Sequence, residues 1–244
     1  MPDRRRPPWW LAGVAVALAV VAGAAAWRLR SHNRDERGGR LDMALVGDSF
    51  AEQARDSFLA HAQADGRTAS VDAFGGTALC DWEDQLADIA LRAPRVLVLS
   101  FAGNDITPCM LRTDTPSSSE QTAEEYQSDF ESALAAFWVT SPDTKVYVVP
   151  PPPIRDAQFE QNAAAMRAMY GRLVDELPDV TSVDVTGQLA PDDGFHASLP
   201  CEDWEAAACQ PDGTVVLRQD DGIHLSPAGA ERYARALLAT IAGR

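Results

Sequence analysis

Five short apolar runs punctuate residues 41–244, and they limit the chain to few architectures. They are Leu41 to Val46, Ser70 to Phe74, Arg95 to Phe101, Lys145 to Val149 and the weaker Val180 to Val185. The strongest, RVLVLSF, is continuous rather than alternating. A strand with one wet face alternates polar with apolar residues, whereas a continuous run suits a parallel sheet covered on both faces. Helical patterns fill the intervals. Phe50 to Gln63, Asp81 to Leu91, Ala123 to Val139, Asp156 to Leu177 and Pro227 to Ala242 are the expected helices. Asp81 is the expected N-cap of the second, Thr122-x-x-Glu125 a capping box for the third, and Ser226-Pro227 a cap and first turn for the last. The order predicts an α/β fold, a three-layer α/β/α sandwich on a five-stranded parallel sheet. Thr113 to Thr122 and Gly187 to Asp221 read as long loops, and long loops in such domains often carry function.

Length and composition agree. The chain has 244 residues, 46% hydrophobic and 23% charged, which fits one α/β domain and excludes disorder of the whole chain. Its net charge is −15, unevenly spread. Residues 1–40 hold eight arginines and three acids, leaving residues 41–244 at −20. Such an acidic body is a poor partner for nucleic acid.

The basic head has its own explanation. Residues 1–8 include three arginines, and Trp9 to Trp27 is a stretch of 19 residues without a charge. As a helix it spans roughly 28 Å, close to a bilayer core. Tryptophans at both ends suit the interfaces. The expectation is a transmembrane signal anchor over 9–27 after a cytoplasmic 1–8, with a signal peptide cleaved near Ala24-Ala25-Ala26 as the alternative. Residues 28–40 read as a polar tether, and residues 41–244 as the functional domain. The four cysteines, 80, 109, 201 and 209, form no CxxC pair and no zinc spacing. They allow three disulfide pairings, and disulfides place a domain outside the cytoplasm.

In open α/β sheets the ligand crevice lies at the carboxyl ends of the strands. Four segments fall there. Gly47-Asp48-Ser49 ends the first strand, putting a hydroxyl at a helix N-terminus. Gly75-Gly76-Thr77 ends the second, offering backbone amides at close approach. Gly103-Asn104-Asp105 follows the third, and an asparagine amide is a neutral donor for a developing oxyanion. Asp221-Gly222-Ile223-His224 precedes the last helix, a carboxylate placed to orient a histidine base. Each segment alone is also ordinary turn chemistry. His32, His61 and His196 lack such a setting and read as tether, helix surface and loop.

With these four blocks in order, residues 41–244 resemble a GDSL-type, or SGNH, hydrolase. The resemblance implies a flavodoxin-like sandwich, a serine ester hydrolase, and no metal or cofactor. It makes Ser49 the nucleophile, His224 the general base and Asp221 its orienting partner; the i, i+3 spacing selects Asp221 over Asp220. It builds the oxyanion hole from the Ser49 amide, the Asn104 side chain and a glycine amide assigned to Gly76, with Gly75 as the alternative. Phe50 stands where the family's name-giving block has leucine. Cys80 and Cys109 lie four or five residues beyond proposed donors, so a bond between them would staple the two loops of the hole. Cys201 and Cys209 would then close the loop before Asp221.

Trp204, in that loop, is the candidate for stacking on a substrate sugar, whereas Trp82 and Trp138 read as core. Asp192, Asp193, Glu202, Asp203 and Glu205 read either as acids that repel anionic substrates or as a solvated acidic surface. The cysteine-bearing loops and the N-terminal anchor are similar to surface SGNH domains that act on glycan O-acyl groups. The expectation is an esterase on short O-acyl, chiefly acetyl, esters of envelope glycans. An O-acyltransferase with the same triad and a non-catalytic glycan-binding module are the alternatives. The expected partners are an acylated carbohydrate or other small ester and, through residues 9–27, a membrane. The expected location is the cell membrane with the domain extracytoplasmic, or secretion if the head is cleaved.

Overall fold

The structure is a computed structural model that describes residues 41–111 and 118–243. The expected anchor at 9–27, its flank 1–8 and the tether 28–40 lie outside the described residues. Among the described residues, no helix is long and apolar enough to cross a membrane.

Five strands fall on the five apolar runs: β1 (Met43–Gly47), β2 (Ala69–Ala73), β3 (Val96–Ser100), β4 (Lys145–Val148) and β5 (Val180–Ser182). They form one parallel sheet in the order β2-β1-β3-β4-β5. Five longer helices connect or close it: α1 (Ser49–Ala64), α2 (Glu83–Leu91), α3 (Ser119–Thr140), α4 (Ala157–Glu176) and, last in the chain, α6 (Pro227–Ile241). A short α5 (Thr186–Leu189) follows β5.

The continuous apolar runs are explained by cover on both faces. Leu97 and Leu99 of β3 point into one cluster with Trp82, Tyr126, Phe130, Met166 and Tyr170. Val96 and Val98 point into the other, with Phe50, Phe58, Tyr233 and Leu237. Helices α2, α3 and α4 therefore cover one face, and α1 and α6 the other. Each fully buried Leu or Phe contributes about 1.5–3 kcal/mol by leaving water, so a charge at a β3 position would break the layer that position faces. Trp82 lies in the core, and Trp138 packs half-buried against it.

Three local expectations need correction. Helix α3 starts a turn earlier than read. Its N-cap is Ser118, whose hydroxyl accepts from the Gln121 amide at 3.2 Å while the Gln121 side chain returns to the Ser118 amide at 2.8 Å. Two S/T-x-x-E/Q boxes stand end to end here, and the upstream one starts the helix, leaving Thr122 buried within its first turn. Asp81 does not cap α2. It sits in a 3₁₀ turn, Leu79–Trp82, and accepts from the Ala78 amide. The stretch 187–221 is not all loop: β6 (Ser198–Pro200) and β7 (Thr214–Val216) pair as an antiparallel ribbon.

That ribbon is pinned by an ion pair. Arg232 of α6 meets Glu205 through Nε at 2.7 Å and Nη2 at 2.6 Å, and also donates to the carbonyls of Pro200 and Gln188. Both side chains are buried, so Glu205 contributes no exposed negative charge. The disulfides are Cys80–Cys109 and Cys201–Cys209.

Candidate active site

The carboxyl edge of the sheet gathers the four blocks. Gly47 is required by packing: a Cβ there would lie 2.2 Å from the Ser100 carbonyl oxygen and 2.8 Å from Ala51 Cβ. Strand β1 can therefore turn directly into α1 only with glycine. Asp48 caps α1, its carboxylate accepting from the Phe50 amide at 3.2 Å. Ser49, the first residue of the helix, is half-buried. Phe50 is buried, stacked on Tyr233 at 6.2 Å, with the Arg218 guanidinium over its ring at 5.7 Å.

Asp48 does more than cap. It is fully buried, and its Oδ2 also accepts from the Ala102 amide at 2.6 Å and from Asn104 Nδ2 at 3.2 Å. Burial pushes its carboxyl up to about 6, against these amides and the charge of His224. Asn104 Nδ2 donates as well to the Thr77 carbonyl at 3.0 Å, and Tyr126 holds the Asn104 carbonyl at 3.1 Å. Asn104 therefore joins the first, second and third blocks.

Of the two glycines of the second block, Gly75 lies against the serine: a Cβ on it would be 3.5 Å from Ser49 Cβ. A Cβ on Gly76 would meet nothing within 4 Å, and the residue has φ +77°. The Gly75 amide donates to Glu52 Oε2 at 2.8 Å. The Cys80–Cys109 disulfide joins the loops that carry these donors.

The fourth block forms a tight acid–base pair. His224 Nδ1 is 2.6 Å from Asp221 Oδ2, and Asp221 Oδ1 accepts from the amides of Ile223 and His224. Partial burial works to raise the Asp221 pKa. The hydrogen bonds from the His224 ring and the two amides outweigh it and hold the carboxyl at about 2. Among the described residues no hydrogen bond joins Ser49 to His224. Their elements are tied one residue further on, where Gln53 of α1 accepts from the Leu225 amide at 2.7 Å.

Two arginines that the sequence reading missed hold this loop. Arg218 is buried and donates to the carbonyls of Ile223 at 3.0 Å and Pro153 at 3.1 Å. Arg155 donates to the Asp220 carbonyl, and its backbone amide donates to the Gly222 carbonyl at 3.1 Å. Neither carries a sequence motif: Arg218 is set apart only by its burial, and Arg155 is exposed.

Trp204 stands on a 3₁₀ turn inside the Cys201–Cys209 loop and is exposed. Arg235 of α6 covers its ring at 4.0 Å, and its indole NH donates to Glu202 at 2.7 Å. A concavity of about 520 Å³ lies at the opposite edge of the sheet, lined by Asp42, Arg67, Arg95 and Lys145 among others. It shares no residue with the four blocks.

Comparison with solved structures places the fold. An acetylxylan esterase from Geobacillus stearothermophilus superposes with a TM-score of 0.56 at 15% identity, covering 83% of this chain and 94% of that one. The catalytic domain of peptidoglycan O-acetyltransferase A from Streptococcus pneumoniae gives 0.54 at 15%, covering 84% and 95%. An acetyl xylan esterase, AlAXEase, gives 0.54 at 16%, covering 82% and 99%. No curated protein matches the chain by sequence. Residues 42–240 match the family model described as "Protein of unknown function (DUF459)". The chain therefore belongs to the DUF459 family, and its fold is that of these ester-acting structures.

Proposed function

We propose that the protein is a serine esterase that cleaves short O-acyl esters, acetyl foremost, on cell-envelope glycans through an acyl-enzyme. The observation that carries this reading is the 2.6 Å pair of His224 Nδ1 and Asp221 Oδ2, on a loop tied to the helix that starts at Ser49. The carboxylate fixes the imidazole tautomer, so Nε2 is the nitrogen left to take the Ser49 proton. The serine oxygen attacks the ester carbonyl, and charge gathers on the carbonyl oxygen. The Ser49 amide, a glycine amide and Asn104 Nδ2 are the donors assigned to it. Gly75 is the glycine that the packing against Ser49 favours. His224 returns its proton to the departing alcohol, and water then cleaves the acyl-serine by the same route reversed.

The glycan target is supported by the acetyl-ester chemistry named for the structural relatives. Presentation outside the cytoplasm, on an anchor at residues 9–27, is supported by that uncharged stretch and by the two disulfides. Trp204 has no role in this reading. Likeness to an O-acetyltransferase domain favours one second reading, in which a sugar hydroxyl replaces water at the acyl-serine.

Labelling with a fluorophosphonate followed by peptide mass mapping tests the nucleophile. A single adduct on Ser49, lost in His224→Ala, is expected. A folded protein that takes no label would point to a binding module. Adding a sugar acceptor to an ester assay separates the second reading, because acylated sugar then forms in place of free acid.

A further inference from the structure

The amide of Gly75 and the carboxylate of Glu52 are 2.8 Å apart, and Glu52 lies on α1 one turn beyond Ser49. A Cβ on Gly75 would meet Glu52 Oε2 at 3.1 Å and Ser49 Cβ at 3.5 Å. Carboxylate and nucleophile thus address the same glycine from one helix. We propose that Glu52 is a specificity-determining residue: its carboxylate occupies the Gly75 amide in the free protein, and a substrate acyl oxygen reaches that amide only by displacing it. This inference rests on the ester-hydrolase reading and deepens it.

The physical grounds are direct. One N–H cannot serve a carboxylate and a developing oxyanion at full strength, and two negative oxygens at one donor repel. Glu52 must therefore swing away before charge develops. It is exposed, so water can receive it.

The turn does not depend on Glu52 for its shape. Phe74 donates to the Gly47 carbonyl at 3.1 Å, Thr77 Oγ1 to the Phe74 carbonyl at 2.7 Å, and Trp82 Nε1 to Thr77 Oγ1 at 3.0 Å. Asn104 and the Cys80–Cys109 bond hold its far side. Glu52 is therefore an occupant of the donor rather than a support for it. Once displaced, its charge stays at the mouth of the site, disfavouring acyl groups that end in a carboxylate, such as a succinyl group. Neutral acyl groups such as acetyl meet no such penalty.

The test is kcat/KM of the full-length protein, of Glu52→Gln and of Glu52→Ala. The substrates are 4-nitrophenyl acetate and the 4-nitrophenyl monoester of succinate. Loss of one competing hydrogen bond corresponds to about a three- to tenfold rise on the acetate for Glu52→Ala. The rise on the anionic ester should be larger, with Glu52→Gln between the two proteins. Unchanged or lower kcat/KM in both variants, with unchanged melting temperatures, would overturn the proposal. Turnover that persists in Ser49→Ala would overturn the ester-hydrolase reading instead, and this inference with it.

Discussion

Arg218 Nη1 donates to the carbonyl of Ile223, the residue immediately before His224, at 3.0 Å. Arg218 is 2% exposed, and burial pulls its guanidinium down to about 10, so it is still charged at neutral pH. It fixes the backbone that aims the histidine. Arg218→Ala takes the donor from the buried Pro153 carbonyl, at about 1–3 kcal/mol, and from the half-buried Ile223 carbonyl, at less. It should lower the melting temperature and reduce kcat more than KM changes. Arg218→Lys, whose compact ammonium cannot span both carbonyls as the guanidinium fork does, should restore little of either. A variant that melts lower yet keeps full kcat would limit Arg218 to a structural role.

Asp48 predicts a pH signature in stability. Its folded pKa, about 6, lies above its ordinary value of 3.8. The folded state therefore binds this proton more tightly than the unfolded state. The contribution weakens folding as pH rises from about 4 to 6 and is constant above that. The shift corresponds to about 3 kcal/mol. Asp48→Asn removes this dependence. Its melting temperature relative to the parent should climb between pH 4 and pH 6.5. A difference that is flat across that range would contradict the assignment.

The donors and the orienting acid should grade in severity. Asp221→Asn leaves the loop with a wrong-tautomer partner, and a loss of about 10⁴ in kcat is expected. Asn104→Ala should cost about 10²–10³. Steady-state kinetics on a nitrophenyl ester read both. Equal, minor losses would remove the oxyanion role from Asn104.

Reduction offers a separate check. Cys80–Cys109 closes 29 residues, a constraint worth about 3–4 kcal/mol in the loop-entropy model. Cys80→Ser/Cys109→Ser should melt lower and lose activity, because both donor-bearing loops loosen. Quantifying free thiols in the parent protein should give none.

The sheet was legible because each strand's apolar run is continuous, and Leu97 and Val98 of β3 show why: they enter opposite cores. The four blocks were legible because turn chemistry at strand ends is local. What stayed hidden is what depends on distant partners. Glu205 reads as one more surface acid until Arg232 of α6, 27 residues on, buries it. The β6–β7 ribbon stayed hidden with it, since its strands are three residues each. Arg235 above the Trp204 ring stayed hidden too, because nothing in the Cys201–Cys209 loop announces it. Gly75 and Gly76 are equivalent in sequence, and only the approach to Ser49 separates them.

The most direct test of the central claim is hydrolysis of 4-nitrophenyl acetate and butyrate by the full-length protein beside Ser49→Ala. The account predicts turnover that is abolished in Ser49→Ala while the melting temperature stays close to the parent's. Turnover that survives the substitution, or a folded parent with no turnover, would contradict Ser49 as the nucleophile of an ester hydrolase.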